Sequence, residues 1–157
     1  MKIGVFVHSR TGNTLQVAER LIKQLEADGH TAELHDVKAS EGAEDKPDTL
    51  EFESIPAMTE YDGLVFGAPV HAFSPAPVMS AFLKKSPSLG GKTLGCFVTQ
   101  AFPFPWMGGN RALGLMKSLC HQKGGKVSGA GVVNWGRSCR ERLIGEVVRK
   151  LSGIFRG

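Results

Sequence analysis

At 157 residues, with 41% hydrophobic and 22% charged side chains, the chain has the size and balance of one globular domain with a full hydrophobic core. No apolar run reaches the roughly 18 to 20 residues that cross a bilayer. The opening Met1–Arg10 stretch carries no small-residue cleavage site, so the expectation is a cytoplasmic protein with no membrane span. Net charge is +4 and the isoelectric point near 9.1, but the charge is unevenly divided. Residues 1–62 hold 6 Lys/Arg against 13 Asp/Glu, a net −7, and residues 63–157 hold 13 Lys/Arg against Glu141 and Glu146, a net +11. Such asymmetry steers anionic partners or is solvated helix surface. Cys96, Cys120 and Cys139 stand far apart, with no zinc-like spacing and an odd count, which argues against both a structural metal and a disulfide framework.

Residues 2–8 (KIGVFVH) form a nearly continuous apolar run with β-branched content, as expected of a strand covered on both faces. Between Thr14 and Asp28, Ala18, Leu21, Ile22 and Leu25 recur at helical spacing, and Gly29 supplies a stop. Residues 31–37 read as a second strand. Residues 38–61 are acidic and hold Pro47 and Pro56, which predicts a long loop with one short helix near 49–54. A third strand covers 61–70, a helix 77–85, a fourth strand 92–99, a helix 111–122, a fifth strand 126–135 and a closing helix 140–155. Five alternations of strand and helix predict an α/β fold, a parallel sheet with helices on both faces. In an open sheet of that kind ligands bind beyond the carboxyl ends of the strands, where strand order reverses. The loops at 9–14, 68–75 and 99–110 fall there.

The first of these, Ser9-Arg10-Thr11-Gly12-Asn13-Thr14, sets three hydroxyls, an amide, a glycine and a cation at a helix start. Hydroxyls and helix-start N–H groups aimed at one point make a seat for phosphate. One hydroxyl would suffice to cap the helix, and here four capping-type side chains crowd into six positions. No lysine completes a P-loop, which argues against a nucleoside triphosphate. The loop at 99–110 carries Phe102, Phe104 and Trp106 within five residues, followed by Gly108 and Gly109. That density fits either stacking on a flat ligand or an apolar plug over the sheet end.

The stretch from His8 to Thr14 resembles the phosphate loop of the flavodoxin family, T/S-x-T-G-N-T, and the stretch from Asp62 to His71 resembles that family's third strand with its Gly-Ala-Pro-Val end. The resemblance implies a flavodoxin-like three-layer sandwich, a five-stranded parallel sheet in the order 2-1-3-4-5, over residues 1–157 as one domain. It implies non-covalent FMN, with Ser9, Thr11, Asn13 and Thr14 on the phosphate and backbone help from Arg10 and Gly12. By the same likeness Pro69, Val70, His71, Ala72 and Phe73 meet the ribityl chain and one face of the ring, with His71 and Phe73 as the ring candidates. Thr99, Gln100, Ala101, Phe102, Trp106, Gly108 and Gly109 form the third loop, which departs from the family's usual glycine and tyrosine.

Other uses of such a sheet fail on chemistry. A response regulator needs acidic residues after the first strand and an aspartate ending the third, where His8-Ser9 and Gly67-Ala68 stand. A small tyrosine phosphatase needs a cysteine in the first loop, and no nucleic-acid recognition module is visible. Two readings stay open: an electron carrier working with a redox protein, for which the basic second half suits an acidic, ferredoxin-like partner, and an FMN-dependent NAD(P)H reductase of quinones or similar small acceptors.

Overall fold

The structure is a computed structural model, and it describes residues 1–38, 58–102, 106–136 and 138–156. The short helix expected near 49–54 lies outside the described residues, as do Pro103, Phe104 and Pro105.

The strands are β1 (Lys2–Val7), β2 (Thr31–Asp36), β3 (Gly63–His71), β4 (Ser74–Pro75), β5 (Thr93–Gln100) and β6 (Lys126–Asn134), and the helices are α1 (Asn13–Ala27), α2 (Pro77–Lys85), α3 (Gly109–Gln122) and α4 (Arg140–Gly153). The sheet runs β2-β1-β3-β5-β6, every neighbouring pair parallel, with Ile3 beside Gly63, Gly63 beside Thr93 and Thr93 beside Lys126. The expected count of five strands is corrected to six. A two-residue strand, β4, turns back from the end of β3 and pairs with it antiparallel, Val70 beside Pro75 and His71 beside Ser74. The five long strands lie in the spatial order expected. The extra strand escaped notice because Ser74–Pro75 is too short to carry a period of its own.

Alternation along the strands divides the core in two. Phe6, Leu64, Phe66, Leu94, Cys96 and Val98 point to one face, where Phe82 of α2 and Met116 of α3 cover them. Ile3, Val5, Val7, Val65 and Phe97 point to the other, under Leu21 and Leu25 of α1 and Ile144 and Leu151 of α4. Each fully buried side chain of this size contributes about 1.5–3 kcal/mol. Gly67 admits the Phe97 ring, since a Cβ there would stand 2.2 Å from Cζ of that ring. No described helix is long and apolar enough to cross a membrane.

Toward the amino ends of the strands a polar cluster closes the sheet. The Tyr61 hydroxyl donates to Glu33 Oε2 at 2.5 Å and lies 2.6 Å from His35 Nε2. Lys92 Nζ donates to the Tyr61 carbonyl at 2.6 Å, and the Lys2 amide donates to Asp62 at 2.8 Å. The hydrogen bond from Tyr61 holds the Glu33 carboxyl below the ordinary glutamate range, and burial with that same bond pushes the Tyr61 phenol well up.

Candidate functional site

Because the long strands are parallel, the connections that follow β1, β3, β5 and β6 all emerge at one end of the sheet. The first connection is anchored at its root by His8, a buried side chain whose Nδ1 donates to the Val37 carbonyl at 3.0 Å. The loop then folds on itself, the Gly12 amide donating to Ser9 Oγ at 3.0 Å. Gly12 has φ 91° and ψ −7°, a conformation in which an L side chain costs about 1–2 kcal/mol. Helix α1 starts at the next residue, and no side chain caps it. The abundance of capping residue types in this loop is therefore not spent on capping. The first-turn N–H groups and the positive end of the helix dipole face outward beside the exposed Arg10 and Thr11 and the half-buried Asn13.

Thr14 stands apart from that group. It is 1% exposed, and its hydroxyl meets the hydroxyl of Thr99, itself 3% exposed, at 2.9 Å. The resemblance assigns Thr14 to the phosphate and Thr99 to the third loop; the fold joins them, tying the first turn of α1 to the end of β5.

The second connection is the hairpin between β3 and β4. Its two turn residues, Ala72 and Phe73, have φ of 50° and 64°, the pattern of a type I′ turn, which ordinarily calls on Asn-Gly. Neither residue relieves the strain by its own chemistry, and such strain concentrates at functional sites. The backbone closes with the Ala76 amide donating to the Pro69 carbonyl at 3.0 Å, leaving Pro69 and Val70 half-buried and His71 exposed. The Arg10 guanidinium approaches His71 Nδ1 at 3.4 Å, so the first two loops touch. Phe73 lies over Gly108, where a Cβ would come within 2.8 Å of the ring.

The third connection is held from the side by β6. The Trp135 amide donates to the Gln100 carbonyl at 2.7 Å, and Asn134 Nδ2 donates to the Phe102 carbonyl at 3.1 Å. Gln100 is buried, its amide packed on Gly109, and Ala101 is exposed. Gly108, with φ 114°, precedes α3, which again starts without a side-chain cap. The helix begins two residues before the expected Arg111 because this glycine makes the turn. Asn134, Trp135 and Gly136 escaped sequence reasoning. A buried asparagine closing an apolar strand is the signal that points to them.

Phe73, Phe102 and Trp106 are 56%, 54% and 73% exposed, and they are three of the five large hydrophobic residues the described surface presents. All three lie in the second and third connections, next to the uncapped start of α1. Exposed aromatics in adjoining connections make this end a candidate binding surface. The cysteines lie elsewhere. Cys96 and Cys120 sit 3.9 Å apart, sulfur to sulfur, buried between β5 and the far end of α3. That contact and burial push the Cys96 thiol well up.

Three solved structures illustrate the fold. Oxidised flavodoxin 1 from Bacillus cereus aligns over 99% of this chain and 97% of its own with a TM-score of 0.69 and 18% identity. A flavoprotein in complex with FMN from Lactobacillus acidophilus NCFM aligns over 90% and 97% with a TM-score of 0.63 and 20% identity. The flavodoxin, WrbA-like protein from Agrobacterium tumefaciens aligns over 98% and 96% with a TM-score of 0.64 and 20% identity. At these identities the likeness is one of fold. No curated protein sequence matches the chain. The model of one family, NADPH-dependent FMN reductase, matches residues 1–135, a span that takes in β1 to β6 and all three site loops. The chain belongs to the NADPH-dependent FMN reductase family, on a flavodoxin-like fold.

Proposed function

We propose that this chain holds one FMN non-covalently at the carboxyl end of its sheet and passes electrons through it as a flavodoxin-type carrier. FMN is the cofactor that goes with the family. In this reading the phosphate sits on Ser9, Thr11 and Asn13, with the backbone of Arg10; Gly12 shapes the loop, its amide donating to Ser9 Oγ, and Thr14 supports it through Thr99. The ribityl chain runs past Pro69 and Val70. The ring lies between the His71–Phe73 turn and the loop of Gln100, Ala101, Phe102, Trp106, Gly108 and Gly109. One observation carries the reading: three exposed aromatic side chains stand beside a helix start that no side chain caps. An anion and a flat apolar ring joined in one ligand answer both features.

Bound flavin supplies hydride and single-electron chemistry. The protein's share is to seat the phosphate, stack the ring and leave one edge open. The family itself favours a second reading, in which NADPH reduces the flavin directly and a small acceptor such as a quinone takes the electrons.

An absorption spectrum of the purified protein, before and after adding FMN and desalting, tests the site. Retained bands near ~370 and ~450 nm support it. A colourless protein that takes up no FMN sinks it. Steady-state oxidation of NADPH by the loaded protein then separates the two readings, since turnover with a quinone alone belongs to the reductase.

A further inference from the structure

Among the described residues, three arginines around the site have no acidic partner. Arg10 follows β1, Arg111 lies in the first turn of α3 and Arg140 begins α4, so all three stand at the carboxyl end of the sheet. None of them forms an ion pair among the described residues. Arg10 meets His71 at 3.4 Å, and Arg140 donates to the Trp135 carbonyl at 3.2 Å with its guanidinium 4.9 Å from the Trp135 ring centre. The described carboxylates at this end are already engaged, Glu141 with Arg20 at 2.6 Å and Asp36 with Lys38 at 3.6 Å. Among the described residues the three arginines have no carboxylate partner, while Glu141 and Asp36 each have a cation.

We propose that Arg10, Arg111 and Arg140 form a docking rim for an acidic redox protein, which meets the exposed edge of the site at Trp106 and Phe102. The proposal rests on the flavin reading above. Its support is spacing and character together. The strands that lead to Arg10 and Arg140 are three neighbours apart, about 14 Å at the level of the sheet. That span is wide for one diphosphate and suits carboxylates spread over a protein face. Trp106, the most exposed of the site's aromatics, gives such a face an apolar centre. An interface with aromatic and arginine residues at its heart and charge around it is the usual composition of protein docking surfaces. The charge acts chiefly on the encounter, raising the association rate at low salt and losing that effect as ions screen it.

The test is stopped-flow electron transfer to the FMN-loaded protein from a photoreduced, acidic [2Fe–2S] ferredoxin at about 10 mM and about 300 mM ionic strength. Basic cytochrome c serves as the oppositely charged probe, accepting electrons from the reduced protein. Each iron centre gives up or gains one electron, and the flavin supplies or stores it. For ferredoxin the bimolecular rate should fall at least about tenfold across that salt range, and for cytochrome c it should rise. Arg111→Glu lies outside the proposed flavin contacts. It should lower the low-salt ferredoxin rate several-fold and flatten its salt slope, with flavin absorbance at ~450 nm unchanged. Arg140→Gln should act in the same direction. A ferredoxin rate indifferent to salt, or to Arg111→Glu, overturns the rim while the flavin site stands. A drop confined to NADPH oxidation in Arg111→Glu also overturns it, and assigns the rim to a dinucleotide. A protein that retains no FMN fails at the earlier step, visibly, before any partner is added.

Discussion

The two ends of the sheet differ in what they leave strained and exposed. At the amino end, polar groups are matched: Tyr61 with Glu33 and His35, Lys92 with the Tyr61 carbonyl, the Lys2 amide with Asp62. At the carboxyl end α1, α2, α3 and α4 all start without a side-chain cap, Ala72 and Phe73 hold strained dihedrals, and Phe73, Phe102 and Trp106 are exposed. The same strands serve both ends, so the difference is not one of scaffold. It separates the part of the chain whose polar groups satisfy one another from the part where strain and exposed rings collect, which is where the proposed site lies.

Mutations at the two ends should therefore move different observables. The largest effect is expected from replacing Thr11 and Asn13 together by alanine. Loss of two hydrogen bonds to a charged group, at about 1.5–3 kcal/mol each, should weaken FMN by 100-fold or more, on the order of the sum of the two. The melting temperature of the flavin-free protein should hardly change. Fluorescence titration checks the first and calorimetry the second; unchanged affinity would place the phosphate elsewhere.

Gly108→Ala comes next. It imposes a left-handed dihedral on alanine and sets a methyl against the Phe73 ring. A cost of about 1–3 kcal/mol is expected, with weaker flavin binding, because here one residue serves both helix start and ring. Denaturant unfolding with and without FMN reads both.

Tyr61→Phe should do the reverse, lowering stability at neutral pH and leaving FMN affinity alone. Its sign with pH follows from Glu33. A carboxyl held low by the tyrosine in the folded state contributes stability above its unfolded value, and that contribution fades as pH falls through the folded one. The gap between native and variant protein should therefore close on acidification below the glutamate range. NMR titration of Glu33 should show its carboxyl returning toward 4.5 in the variant. A gap that stays constant would mean that the hydroxyl acts by packing alone.

The smallest effect is Ala72→Gly. Relief of about 1–2 kcal/mol of strain is offset by about 0.4–1 kcal/mol of added freedom in the unfolded chain, so a gain near 0.5 kcal/mol is expected. A loss instead would show that the turn is not strained.

What the sequence disclosed follows the range of the interactions. The first loop stood out as a candidate anion seat because its hydroxyls, amide and glycine sit in six consecutive residues, and the α/β class was legible because buried runs alternate with amphipathic helices; the strand order came with the family resemblance. The hairpin at Ala72–Phe73 was not, since it lacks the Asn-Gly that announces such a turn. The Thr14–Thr99 bridge joins residues 85 apart, and only folding brings them together. Asn134 escaped for the same reason, its partner being a carbonyl 32 residues away. The aromatic loop was read correctly as rich in rings, yet which ring faces what depends on glycines 108 and 109 and on the strand beside them.

The bridge between Thr14 and Thr99 has one more consequence. Either oxygen can be its donor, so the bond exists in two senses that differ only in where a hydrogen points. Both hydroxyls are buried, so water competes for neither sense of the bond. Whichever hydroxyl donates, the first turn of α1 and the end of β5 stay joined, so the two move as one piece.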